Sequence, residues 1–232
     1  MIRWSPPGPY EVVFSTRAGG VSEGPYDSLN LGRLTGDDVE RVDENRRRLC
    51  AEIGADAERL ALNRQVHSTL VHRAGAGRRG EPGDGLWTDE PDVPVLAMAA
   101  DCLPIALVRE RGEPPAVAVL HAGWRGLLAG IAAEGVATLG GRVRAAIGPA
   151  IGPCCYEVGP EVSEPFVRAF GPGVVLGRNL DLWAAGERAL REAGVASVER
   201  FALCTSCNAE LFFSHRRTGK PRGVQGVVAR VA

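Results

Sequence analysis

The sequence predicts an α+β fold: a single layered domain in which a mixed β-sheet is flanked by helices. Apolar runs at 93–101, 103–110 and 115–123 follow one another so closely that they imply strands buried on both faces. Segments with helical periodicity at 37–54, 126–140, 159–170 and 180–194 are interspersed among β-type runs. Several neighbouring strands are also joined by too few residues for a parallel crossover, so the sheet must contain antiparallel pairs.

In chain order, EVVFST (11–16) predicts a strand. The segment 37–54 places Val39, Val42, Leu49 and Ile53 on one helical period, with Asp37 or Asp38 as cap and Gly54 as stop. STLVHRA (68–74) predicts another strand, and GAGRRGEPGDG (75–85) a glycine-rich loop inside the domain. The apolar runs come next; only Asp101, Cys102 and Pro104 interrupt the first two. Residues 126–140 predict one helix, VRAAIGPA (143–150) a strand, and 159–170 and 180–194 two further helices. VERFALC (198–204) and VQGVVARV (224–231) predict the closing strands.

At roughly 150 residues per domain, a chain of 232 is one large domain or two small ones, and motifs spread over most of it favour one unit, 1–232. A hydrophobic fraction of 45% with 24% charged residues excludes disordered and fibrous classes. Twenty-seven basic against 28 acidic residues leave a net charge of -1, with no footprint for a nucleic-acid polymer and no polybasic membrane patch. The N-terminal MIRWSPPGPYEVVF has prolines where a signal peptide needs an apolar core, and no stretch approaches the roughly 18 apolar residues of a membrane span. The expectation is a soluble, cytoplasmic protein whose six cysteines stay reduced.

Among the four histidines and six cysteines, His67, Cys102 and His121 each sit at the end of an apolar run beside polar or glycine residues. Strand ends are where a rigid scaffold presents reactive groups. Two imidazoles and a thiolate suit zinc, and three protein ligands leave a fourth tetrahedral position open, the catalytic pattern. Their spacing alone does not distinguish them from three unrelated polar residues. After His121, the residues Gly123, Trp124, Arg125 and Gly126 lead into the predicted helix, so backbone N–H groups and a guanidinium could meet an anion there.

Eight motifs occur in a telling order: TRAGGVSEGPYDSLNLG, GDDVERVDENRRRL, QVHS, the acidic D-G at Asp84 and Gly85, ADCLPI, HAGWRG, IGPAIGPCCYEVG and CTSCNAELFFSHRRTG. Together, from about Thr16 to about Gly219, they resemble the YfiH or laccase-domain family, also described as multicopper polyphenol-oxidase-like, whose members include purine nucleoside phosphorylases. The resemblance implies that His67, Cys102 and His121 are zinc ligands of an active site. It further implies phosphorolysis of adenosine, inosine and methylthioadenosine to free base and ribose 1-phosphate, with adenosine deamination beside it. The partners are then a small-molecule nucleoside and phosphate. The H-x-E with P-C-x-x-C signature of zinc deaminases is absent, which makes deamination a side activity. Copper is the alternative metal, in a phenol oxidase, but four histidines cannot build several histidine-rich copper sites. A third reading makes Cys102 a hydrolase nucleophile with His67 or His121 as its base.

Arg17, Asn30, Asn45 and Arg46 are polar residues inside matching motifs and are candidate contacts to ribose or phosphate, although Arg46, Arg47 and Arg48 also read as a solvated helix face. Gln65 falls on the same strand face as His67 if the segment is extended and could orient a ligand or the substrate. Many family members continue with T-G-R after the R-R-x-G turn; here TGKPRG (218–223) transfers any such phosphate contact to Lys220 or Arg222. Asp101 ends a buried run and must be paired or stand behind a ligand. Cys204 and Cys207 form a lone C-x-x-C, read as packing or pocket-adjacent rather than redox-active; Cys154 and Cys155 read as loop residues near the site, and Cys50 as helix packing. His72 is expected at a sheet edge or surface, and His215, beside two arginines, in a hydrogen-bonding role.

Overall fold

A computed structural model describes residues 1–232. The chain begins with β1 (Ile2–Trp4), β2 (Tyr10–Phe14), helix α1 (Val39–Glu52), β3 (Ala61–Arg64), β4 (Val71–Arg73), β5 (Arg79–Pro82) and β6 (Gly85–Thr88). The centre comprises β7 (Val95–Ala99), β8 (Leu103–Arg109), β9 (Val117–Ala122), α2 (Trp124–Leu128), α3 (Ile131–Leu139) and β10 (Val143–Ile147). The last third holds α4 (Pro160–Phe170), β11 (Val175–Leu176), β12 (Asn179–Leu180), α5 (Leu182–Glu192), β13 (Ser197–Arg200), α6 (His215–Thr218) and β14 (Gln225–Val231).

The α+β class is as the sequence predicts, with two large mixed sheets in place of one. The first has the order β1-β2-β14-β7-β3-β5 and the second β13-β10-β8-β9-β6-β4, with β11 and β12 forming a small hairpin apart. Antiparallel pairs such as β8 with β9 and β14 with β7 stand beside the parallel pairs β3 with β7 and β10 with β13. The apolar runs divide their side chains by parity. Val95, Ala97, Ala106, Val108, Val117 and Val119 meet between the two sheets, with Phe14 and Val227. Ile105, Leu107, Ala118 and Leu120 point the other way, onto a helical layer containing Leu127, Ile131, Phe166 and Trp183. On the outer face of the first sheet, Val13, Leu96 and Val228 pack against Leu49 and Cys50 of α1 and Ile53 just after it. The result is four layers, helix on sheet on sheet on helices, and it explains why the central runs lack polar alternation.

Three local predictions need correction. The segment 126–140 is two helices, because Gly130 takes a left-handed φ of 98° and breaks the ladder. The stretch 75–85 is more than a loop, since it pairs β5 onto β3. The strand predicted over 198–204 ends at Arg200. In α1, Asp38 is the cap, accepting from the backbone N–H groups of Glu40 and Arg41, and Gly54 follows the helix at φ 64°. No helix is long and apolar enough to cross a membrane.

Candidate functional site

The turn from β7 to β8 passes from the first sheet to the second and carries Cys102. Its preceding residue, Asp101, adopts φ 90° and is held by bonds from the Thr205 hydroxyl at 2.6 Å and the Arg216 backbone N–H at 2.7 Å. The buried charge that ends the apolar run is thus paired, as burial requires. His121 lies on β9, opposite Pro104 of β8, and is 4% exposed. His67 follows β3 in a turn at φ 60°. That turn hangs on one carboxylate: Asp84 Oδ2 accepts from the backbone N–H of Val66 at 3.1 Å, of Ser68 at 2.6 Å and from the Ser68 hydroxyl at 2.8 Å.

The structure brings His67, Cys102 and His121 together. One ligand atom from each lies within 4.8 Å of the others, and Cys102 Sγ is 4.0 Å from His67 Nε2. Gly123 makes this approach feasible, because a Cβ there would lie 2.6 Å from the His67 ring and 3.2 Å from the Cys102 sulfur. The other oxygen of Asp84 takes His121 Nδ1 at 2.8 Å. An Nδ1 so engaged leaves Nε2 to face the cluster, the arrangement that orients metal-binding histidines. In the sequence Asp84 stands out only as part of a motif; its role emerges from a fold that joins it to a partner 37 residues away.

The electrostatics are those of a compensated pair. Burial would raise the Cys102 thiol, but the charge and hydrogen bond of His121, together with those of His67, bring it down to about 6. Burial likewise disfavours a charged His121, yet the Cys102 thiolate and then Asp84 lift it to about 9. Asp84 is held well below the carboxylate range: burial opposes this, and the bonds from His121 and Ser68 prevail. A position that stabilises a proton between thiolate and imidazole also suits a cation. The donor set of two nitrogens and one sulfur fits zinc or copper, and of the two donor clusters in the molecule it alone contains histidine.

The cluster opens into a cavity of about 830 Å³ lined by Arg46, Arg125, His215, Arg216, Lys220 and Arg222 among others. Of the remaining candidates, Gln65 also lines it, but its amide is taken by the Met98 backbone at 2.6 and 2.8 Å and so ties β3 to β7. Arg46 is buried, not solvated; its Nε and one terminal nitrogen donate to Leu31 O. Arg125 stacks 4.1 Å over the Trp124 ring, on a helix of only five residues. The structure does not bring Asn45 or Arg17 into the cavity. Asn45 is fully buried and bonds to Val21 N–H, Ser22, Ser28 O and Asn30 O. Arg17 donates to Asp27 O and Ala209 O and covers Phe213. Asn30 likewise pins loops, bonding Thr35, Asp37 and the Val224 N–H. These motif residues build the fold around the site. Arg222 Nε, by contrast, is buried without any hydrogen-bond partner.

Comparisons with known proteins bear on the family and the fold. Residues 11–231 match the family described as multi-copper polyphenol oxidoreductase laccase. A purine nucleoside phosphorylase of Pseudomonas aeruginosa is 37% identical over 94% of this chain and 92% of its own length. Another, from Deinococcus radiodurans, is 40% identical over 94% and 89%. The crystal structure of YlmD from Geobacillus stearothermophilus superposes with a TM-score of 0.87 at 34% identity, covering 96% of this chain and 92% of that one. A Neisseria meningitidis structure gives 0.89 at 32% identity over 99% and 98%.

Proposed function

The chain belongs to this laccase-domain, YfiH-like family, and on that premise we propose that it is a zinc-dependent purine nucleoside phosphorylase. Its substrates are adenosine, inosine and methylthioadenosine, split by phosphate into free base and the corresponding ribose 1-phosphate, within one catalytic unit spanning residues 1–232. Adenosine deamination is a side reaction of the same site. The observation that carries the reading is a donor set backed by Asp84 and open to a cation-lined cavity of about 830 Å³, a size that holds a small-molecule ligand.

In phosphorolysis a phosphate oxygen forms a bond to C1′ while the bond from C1′ to the purine nitrogen breaks; the purine keeps the electron pair and takes a proton. The protein must anchor the phosphate charge and hold the two reactants in line. Arg222 is the foremost anchor, since its buried Nε has no other partner, with Arg125, Arg216 and Lys220 on the same cavity. Asp84 fixes the His121 ring, and through Ser68 the turn carrying His67, so the cluster keeps one geometry during turnover. Bound by His67, Cys102 and His121, zinc would supply a redox-inert Lewis acid.

Incubating adenosine with and without inorganic phosphate tests the reaction class. Ribose 1-phosphate that forms only with phosphate is the expected result. Free ribose accumulating without phosphate would overturn it in favour of hydrolysis by Cys102, a second reading favoured by a thiol that sits at about 6 beside His121.

A further inference from the structure

We propose that Cys154, Cys155, Cys204 and Cys207 form a second metal site, a closed all-thiolate cage for one zinc ion, separate from the catalytic cavity. The four cysteines come from two loops some 50 residues apart, and one sulfur from each lies within 4.8 Å of all the others. Cys207 Sγ is 3.4 Å from both Cys154 Sγ and Cys155 Sγ. Zinc–sulfur bonds of about 2.3 Å place the corners of a tetrahedron about 3.8 Å apart. The sulfurs are therefore already near the span that one ion requires.

Local backbone geometry builds the cage. The turn after Pro153 is closed by Cys155 N–H and Tyr156 N–H, both donating to Gly152 O at 2.9 and 3.0 Å, and it carries two consecutive thiols. From the facing loop, Cys204 and Cys207 contribute a C-x-x-C, the spacing of a zinc knuckle. Gly152 N–H donates to Cys204 Sγ at 3.3 Å, a bond that favours a thiolate. The packing role expected from sequence suits Cys204, which is buried, but Cys154 and Cys207 are exposed and fill no core. None of the four lines the cavity of the first site. Four protein ligands leave no open position, the mark of a structural centre.

The cage joins the loop of Ile151 and Tyr156 to the loop of Thr205, which bonds Asp101 beside Cys102. Zinc there would brace one wall of the cavity without meeting substrate. Binding releases the thiol protons and involves no change of oxidation state.

Zinc per chain and alkylation of each cysteine, read on the reduced holoprotein, test the proposal. Two zinc ions are expected for the native chain and one for Cys102→Ala. In Cys102→Ala, with Cys207→Ser added, that remaining ion should be lost. In the native chain, Cys154 and Cys207 should resist iodoacetamide despite their exposure until a strong chelator is added, a readout that needs no variant to fold. A Cys102→Ala chain without zinc, rapid alkylation of Cys154 and Cys207 before chelation, or a mass two hydrogens short that marks a disulfide would overturn it.

Discussion

Sulfur gathers at two places in this molecule, and the surroundings of the two clusters are opposite. At the first, one thiol meets two histidines, whose charges and hydrogen bonds together overcome burial and lower Cys102 to about 6, His121 contributing most. At the second, four thiols meet one another with no histidine among them; partial desolvation within the cluster and then the neighbouring thiols push the surface-reaching Cys154 up. The first cluster carries its own compensating charge, is anchored from behind by Asp84 and opens onto a cavity. The second has no such charge acting on its thiols and opens onto no cavity, although Cys154 and Cys207 reach the surface, so a cation is what would let four thiolates coexist. Identity of the ligand atoms thus matters less to function than what stands behind and in front of them.

The sharpest way to break this comparison is to remove the compensating charge from the first cluster. In metal-free protein, Cys102 takes up a proton as pH falls through about 6, and His121 loses one as pH rises through about 9, so the ion pair persists between them. Alkylation of Cys102 after chelation should accordingly rise with a midpoint near pH 6. In His121→Ala the midpoint should move up, because burial is then opposed only by the weaker effect of His67. An unchanged midpoint would mean that His121 does not set the state of Cys102.

A smaller effect is expected one step back. Asp84→Asn keeps the shape but removes the charge behind His121, and loss of such an outer partner costs about 10- to 100-fold in metal affinity or activity. Competition for zinc against a chromogenic chelator would measure it, and an affinity within twofold of the native value would show that Asp84 merely holds the loop. Smallest is Asn45→Ala, which lies in neither cluster. It leaves the half-buried N–H of Val21 and the carbonyls of Ser28 and Asn30 short of a partner, at about 1–3 kcal/mol. Chemical denaturation should report that loss.

Much of the architecture was legible because it rests on local patterns. The runs around β7, β8 and β9 betray burial on both faces, and the periodicity of α1 with Asp38 before it marks a capped helix. The division into two sheets was not legible, since short strands such as β3 and β5 take their identity from partners distant in the chain. The grouping of His67, Cys102 and His121 was legible through motif resemblance, whereas spacing left it open. Asp84 as an anchor and the meeting of Cys154 and Cys155 with Cys204 and Cys207 depend on tertiary approach, which no local pattern records. Asn45 and Arg17 illustrate the converse: a polar residue within a functional motif can serve the loops that shape a site.

On the proposed reading, the cluster of His67, Cys102 and His121 makes this chain a zinc-dependent phosphorylase. The most direct test strips metal from the protein and restores zinc or copper one at a time while following ribose 1-phosphate from adenosine and phosphate. Zinc is predicted to restore phosphate-dependent turnover in the native chain and to restore nothing in Cys102→Ala. Full turnover in the stripped protein, or recovery with copper but not zinc, would contradict the account.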